Sequence, residues 1–321
     1  MAARRTSEFE RIDRIQQLLD AAPRRQRTNQ LEVGIGDDAA VLRLDQRSVW
    51  TVDAQVEGVH FDRRWLSLGD IGYRSFQAAV SDVAAMGARP VAALSSLALP
   101  ASLKPRELEA LVRGQAEAAN ECRCPIIGGN LSKASELSIT TTVLGRVKRP
   151  LLRSGARPGD ELWLVGRVGM ARAGLLALMR ALRSRKLKPC IVAWRRPRAL
   201  CSEGQALVGR ARAAIDVSDG LAGDAQHLAK ASQVRLVFEA ARLEASFSPE
   251  FALAAAELGV LPIELALSGG EDYALLCSGP SVRRPRFARA VGHVERGRGV
   301  WLERDGRRKE LSGSFDHFSS S

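Results

Sequence analysis

Gly34-Ile35-Gly36-Asp37-Asp38-Ala39-Ala40-Val41, and then Thr51-Val52-Asp53-Ala54-Gln55-Val56-Glu57-Gly58-Val59-His60-Phe61, carry the reading of this chain. Two glycines permit a tight turn free of steric cost, and two adjacent carboxylates follow at once. A third carboxylate, Asp53, ends an alternating apolar run that reads as a strand. Acidic side chains on a glycine turn beside a strand suggest a place to hold cations. Taken alone, the stretch reads equally as an acidic turn and a hairpin, because short Gly/Asp patterns are common. Recurrence tilts the reading, for three more loops of this kind lie downstream.

Residues 7–22 place Phe9, Ile12, Ile15, Leu18 and Leu19 at helical spacing behind a Ser7 cap, predicting an amphipathic helix. The basic segment 23–27 reads as a solvated linker. Between Val41 and Phe61 two strands are expected, joined near residues 45–47. Residues 70–88 read as a helix capped by Asp70 and closed by Gly87. Within its small, apolar interior Ser81-Asp82 stands out, since a carboxylate on a buried side needs a cation or hydrogen-bond partners. A strand over 90–99 and a helix over 104–122 follow. Residues 125–133 read as a strand running into the double-glycine turn Gly128-Gly129-Asn130, and the β-branched run within 138–147 as a strand.

The turn-rich stretch 153–160 marks a boundary. Beyond it come a strand over 161–165, a loop over 166–169, a helix over 170–182 and an exposed Arg/Lys-rich linker over 183–188. In the third loop Asp216 and Asp219 stand three apart at a strand-to-helix junction, so both can face one ligand. A helical pattern over 221–231 follows. A helix over 249–258 precedes the fourth loop, Ser268-Gly269-Gly270-Glu271-Asp272-Tyr273, and a strand comes directly after it. The mixture predicts an α/β (α+β) chain of two domains, 1–148 and 149–321, in line with its 321 residues. Residues 319–321 form a short polar tail.

Hydrophobic content of 45% and charged content of 26% are those of a soluble globular protein. The net charge of +12 raises the question of nucleic acid. Seven Lys among the 48 basic residues leave 41 Arg, spread along the chain rather than gathered in a block. With 5% aromatic residues and no recognised module, they read as solvated charge. Cys122, Cys124, Cys190, Cys201 and Cys277 are odd in number and lack Cys-x-x-Cys spacing, which indicates neither a disulfide framework nor a zinc site. No secretory pattern occupies residues 1–14, and no apolar run approaches the roughly 18 residues of a membrane span. The expectation is a cytoplasmic protein, away from membranes.

The ordered set of loops resembles the thiamine-monophosphate kinase family, within the superfamily that includes aminoimidazole ribonucleotide synthetase. The resemblance runs through Gly-Ile-Gly-Asp-Asp-Ala-Ala at 34–40, Gly-Val-His-Phe at 58–61 and Ser-Asp-Val-Ala-Ala-Met-Gly-Ala at 81–88. It continues in Gly-Gly-Asn at 128–130, Arg-Ser-Gly-Ala-Arg-Pro-Gly-Asp at 153–160, Asp-Val-Ser-Asp-Gly-Leu at 216–221 and Ser-Gly-Gly-Glu-Asp-Tyr at 268–273. It implies a two-domain, synthetase-like fold whose N-terminal mixed sheet pairs across a homodimer and whose C-terminal α/β domain completes the active site. The implied reaction is ATP-dependent phosphorylation of thiamine monophosphate to thiamine diphosphate.

By the same resemblance, Asp38, Thr51, Asp53, Asp82, Asp216 and Asp219 match Mg²⁺ ligands, with Asp53, Asp82 and Asp216 central to catalysis. Gly129, Asn130, Arg153 and Ser218 match ATP contacts, and His60, Glu271 and Phe315 the thiamine substrate's contacts. Several Mg²⁺ ions are implied, ATP is the co-substrate, and K⁺ is a further candidate ion. Two departures stand out. Asn130 occupies a position that is commonly Asp, offering a neutral amide oxygen as a metal ligand. Val52 replaces a hydroxyl residue and can lend only its backbone carbonyl. His60 and Phe315 also admit plain packing roles.

Bottom-up chemistry points the same way. Bringing two phosphorylated molecules together crowds negative charge, which Mg²⁺ on oxygen ligands relieves. The acceptor phosphate, with a second pKa near 6, needs no strong base. No Gly-x-x-x-x-Gly-Lys-Ser/Thr loop is present, which argues against a P-loop kinase. Among sister chemistries, selenophosphate synthesis is disfavoured because no Cys precedes Cys122, and a hydrogenase-maturation role because the sequence ends Ser319-Ser320-Ser321. Aminoimidazole ribonucleotide synthesis stays the alternative, and His60 with the 268–273 loop favours the kinase.

Overall fold

The structure is a computed structural model that describes residues 17–18, 31–33, 41–42 and 47–311. Of the expected N-terminal helix only Gln17 and Leu18 fall among these, and both are helical. The chain forms two compact units, one of residues 1–83 and 89–148, the other of 84–88 and 149–321.

In the first unit, β1 (Leu31–Val33) and β2 (Val41–Leu42) pair antiparallel. A four-stranded mixed sheet holds β3 (Ser48–Val56), β4 (Arg89–Pro100), β5 (Ile126–Ala134) and β6 (Ser138–Arg146), ordered β3-β6-β4-β5 with β4 and β5 parallel. Helices α1 (Leu68–Ala85) and α2 (Pro105–Cys122) belong with it. Period-two alternation gives β3 two faces. Thr51, Asp53 and Gln55 share the more sheltered one, while Trp50 and Val52 on the other are 60% and 63% exposed. The sheltered face meets the helices through Thr51 to Asp82 on α1 and through Gln115 of α2 to Ser95 on β4.

The two helices touch backbone to backbone. A Cβ on Gly72 would lie 2.0 Å from the Leu111 carbonyl oxygen, and one on Gly114 1.9 Å from that of Gly69. Only glycine fits either place.

Two local expectations change here. Ser67, not Asp70, leads α1: its Oγ accepts from the Asp70 N–H at 3.1 Å and donates to Asp70 Oδ2 at 2.8 Å, putting Asp70 in the first turn. The 128–130 stretch is no turn either, for β5 runs straight through it. Gly129 is required because a Cβ there would sit 1.8 Å from the Ser95 carbonyl oxygen on the neighbouring strand.

The second unit is built on a seven-stranded sheet. Its strands are β7 (Glu161–Val165), β8 (Ala213–Val217), β9 (Arg235–Glu239), β10 (Ala274–Gly279), β11 (Arg289–Glu295), β12 (Gly299–Arg304) and β13 (Arg307–Glu310). They are ordered β13-β12-β9-β11-β7-β10-β8, and only β12 and β9 run parallel. Its helices are α3 (Met170–Met179), α4 (Lys188–Arg195), α5 (Cys201–Leu207), α6 (Leu221–Ser232), α7 (Ala240–Glu244), α8 (Pro249–Leu258) and α9 (Pro262–Ser268).

Leu162, Leu164, Ile215 and Leu276 enter one core, whereas Trp163, Val165, Leu275 and Cys277 enter another on the opposite face. Burial on both faces suits the largely apolar composition of these strands. The helix expected to reach residue 182 ends at Met179. The expected linker over 183–188 holds a 3₁₀ turn, Arg185–Leu187, with Leu187 fully buried, and leads into α4 through Pro189. Among the described residues no single helix is long and apolar enough to cross a membrane.

Candidate active site

In the first unit, β3 and α1 bring the predicted residues together. Thr51 donates from Oγ1 to Asp82 Oδ2 at 2.5 Å, and Gln55 Nε2 donates to Asp53 Oδ1 at 2.8 Å. Burial raises the Asp53 carboxyl above its ordinary range, against the Gln55 hydrogen bond, and the Asp82 charge adds to the rise. His60 and the buried Arg74 pull it back down. Two carboxylates that repel each other in a partly dry site form a donor set that a hard cation would stabilise.

His60 follows β3 in a turn, where its Nδ1 accepts from the Val56 N–H at 3.1 Å, fixing the ring. Val52 shares the strand but points to the opposite face from Asp53. Gly129 and Asn130 are exposed on β5. Asp38 and Phe315 lie outside the described residues.

In the second unit, Asp216 is a buried residue near the end of β8, and Ser218 and Asp219 follow in the loop before α6. A third acid, Asp224, enters from the first turn of α6. Its Oδ2 accepts from the backbone N–H groups of Ser218 at 3.0 Å and Asp219 at 3.1 Å, so it shapes the loop. Burial pushes this carboxyl up to about 8, helped by the charges of Asp216 and Asp219. Sequence reasoning passed over Asp224, although an acid on the apolar side of a helix start was the available signal.

The fourth loop packs directly on the third. A Cβ on Gly270 would lie 2.4 Å from the Ser218 carbonyl oxygen, and Glu271 and Tyr273 donate their N–H groups to Ser218 O at 2.8 Å and Val217 O at 2.9 Å. Glu271 and Tyr273 both adopt left-handed backbone, at φ of 65° and 49°. Such conformations cost about 1–3 kcal/mol each in non-glycine residues and cluster at functional sites.

The paired acids part company here. Asp272 turns to the start of α3, accepting from the Gly169 N–H at 2.5 Å and the Ala171 N–H at 2.9 Å, with its carboxyl enclosed and pushed by burial up to about 7. Glu271 instead accepts from Trp194 Nε1 at 2.8 Å. Arg153 is exposed, and its carbonyl accepts from Ser232 Oγ at 2.9 Å.

Among the described residues no three His, Cys, Asp or Glu side chains converge into a ready metal cage. Mg²⁺ is commonly held by one or two carboxylates with waters and substrate phosphates completing its shell, and Asp53 with Asp82 offers oxygen donors of that kind. Two sets of acids, Asp53 on β3 with Asp82 on α1 and Asp216 on β8 with Asp219 in the following loop, thus define a class of protein that presents hard oxygen donors beside its strands.

Comparison with known proteins narrows this. The family model described as AIR synthase related protein, N-terminal domain, matches residues 36–147. The chain is 35% identical over 291 residues to the thiamine-monophosphate kinase of Aquifex aeolicus (strain VF5), covering 88% of this chain and 92% of that protein. It is 36% identical over 298 residues to the thiamine-monophosphate kinase of Mycobacterium tuberculosis (strain H37Rv), covering 89% and 84%. The solved complex of AaThiL with AMPPCP and TMP aligns with a TM-score of 0.81 and 34% identity over 99% of both chains. The chain belongs to the thiamine-monophosphate kinase family.

Proposed function

We propose that this protein transfers the γ-phosphoryl group of ATP to the phosphate of thiamine monophosphate, releasing thiamine diphosphate and ADP. The observation that carries the reading is the likeness, over 99% of both chains, to a relative solved with AMPPCP and TMP, joined to the two carboxylate sets at Asp53/Asp82 and Asp216/Asp219. Asp53 and Asp82, with Thr51 bonded to Asp82, would hold Mg²⁺ in the first unit, with Asp38, Asn130 and the Val52 carbonyl as further ligands. Asp216 and Asp219 would do so in the second, where Asp224 holds their loop in shape. When bound, Mg²⁺ neutralises phosphate charge and aligns the transfer. K⁺ is a further candidate ion.

Gly129, Asn130, Arg153 and Ser218 contact the nucleotide, Arg153 adding positive charge where charge develops. His60, Glu271 and Phe315 contact the acceptor. The acceptor oxygen is already largely ionised at neutral pH, so direct in-line attack needs no enzyme base and no phosphoenzyme.

On this reading the N-terminal unit carries nucleotide and metal sites and dimerises. Pairing through the N-terminal sheet is supported by Trp50 and Val52 on edge strand β3 and by Leu94, 38% exposed, on β4. A stripe of this kind is commonly covered by a partner. Among the described residues none of the five cysteines is in a disulfide, which suits the reducing cytoplasm. Basic residues tied to acids, such as Arg308 to Glu295 and Glu303 or Arg242 to Glu239, suit a protein with no nucleic-acid role.

The test is ADP release with Mg²⁺-ATP and thiamine monophosphate, the product identified by chromatography and free thiamine as control acceptor. Thiamine diphosphate formed only from the monophosphate supports the reading. Mg²⁺-dependent ATP binding with no turnover would move the assignment to a sister synthetase.

A further inference from the structure

We infer that Trp194 is a positioning residue for the acceptor: through its indole N–H it fixes the carboxylate of Glu271. The inference rests on the reading of Glu271 as an acceptor contact. Trp194 sits near the end of α4 and is only 2% exposed, yet its one polar atom reaches Glu271 Oε2 at 2.8 Å. A buried indole usually finds a partner for its N–H, and here that partner is a carboxylate of the 268–273 loop.

The arrangement around this bond is closed. A Cβ on Gly174 of α3 would lie 2.1 Å from the Cys190 carbonyl oxygen of α4, so the two helices meet backbone to backbone and α4 has little room to shift. The start of α3 is held by Asp272, the residue next to Glu271. Neighbouring acids of one loop are therefore tied to two helices that are locked to each other. The Glu271 backbone is pinned as well, by its N–H to Ser218 O at 2.8 Å and in a left-handed conformation. With backbone and side chain both fixed, the carboxylate is pre-set before the acceptor arrives, which lowers the ordering cost of binding.

The test is steady-state kinetics of the full chain with Mg²⁺-ATP and thiamine monophosphate, comparing Trp194→Phe, Glu271→Gln and the double variant. Loss of one hydrogen bond to a charged group predicts that Trp194→Phe raises the acceptor KM about tenfold or more, with the ATP KM and kcat within about twofold. In the Glu271→Gln background the same change should add less than about twofold, because the two residues act as one unit. An unchanged acceptor KM in Trp194→Phe beside a raised one in Glu271→Gln would overturn the Trp194 role and leave the Glu271 reading standing. An effect undiminished in the Glu271→Gln background, or shared equally by the ATP KM, would mark Trp194 as packing only. An acceptor KM unmoved by Glu271→Gln would remove the Glu271 reading and the inference with it. Trp194→Tyr, which keeps an aromatic body, serves the same comparison if the Phe variant does not fold.

Discussion

Asp272→Ala should destabilise the second unit by a net ~1–5 kcal/mol. The Asp272 carboxylate is the acceptor for two N–H groups at the start of α3, those of Gly169 and Ala171. Both donors belong to buried residues, and leaving each without an acceptor costs about 1–3 kcal/mol. Removing an enclosed carboxylate at neutral pH gives back roughly 1 kcal/mol of desolvation. Asp272→Asn keeps one acceptor oxygen and should fall between the wild type and the Ala variant.

A pH signature separates this from simple loss of packing. Burial lifts the Asp272 carboxyl from its ordinary 3.8 to about 7. Between those values the folded state binds the extra proton, so this group's contribution to stability falls as pH rises through that window. The Asn variant should lack that decline. The assay is urea unfolding followed by circular dichroism at pH 5 and pH 8. An Ala variant within about 0.5 kcal/mol of wild type, where ordinary surface substitutions fall, would refute the capping argument.

Gly114→Ala places a Cβ 1.9 Å from the Gly69 carbonyl oxygen, whereas Gly58, at φ 81°, has nothing within 4 Å. The first change should cost about 3 kcal/mol or more and the second only about 1 kcal/mol, read from unfolding midpoints. Asp53→Asn should cut turnover at least about 100-fold, and near-normal turnover at saturating Mg²⁺ would sink the metal role. Glu295 is drawn down to about 2, first by its hydrogen bond from Arg308 and then by His293. The stability it contributes is present above pH 4.5, its ordinary value, and is lost as pH falls toward 2. Glu295→Gln should flatten acid unfolding over that window.

The loops were legible in the sequence because glycine and carboxylate identities carry their chemistry locally. Strand β7 and helix α8 were legible for a similar reason, namely the apolar character of their own residues. What escaped depended on distant partners. Gly129 looked like a turn residue, but its constraint is the backbone of Ser95 on the next strand. Asp272 looked like the twin of Glu271, but its partners lie 103 and 101 residues earlier. Asp224 gains its meaning only where α6 folds back on the Ser218 and Asp219 amides. Strands β9 and β11 to β13 carry charged residues among their apolar ones, and their register comes from neighbours across the sheet.

The glycine contacts between α1 and α2 have a consequence for how the protein can diverge. Where two helices meet through side chains, each substitution resets their separation by some fraction of an ångström. Here Gly72 and Gly114 set the spacing by carbonyl against Cα, dimensions that no drift elsewhere in the core can alter. Asp82 sits ten residues along α1 from Gly72, about 15 Å at the helical rise per residue. Lineages can therefore rewrite the apolar lining around these helices while the acid keeps its station, so long as both glycines are inherited.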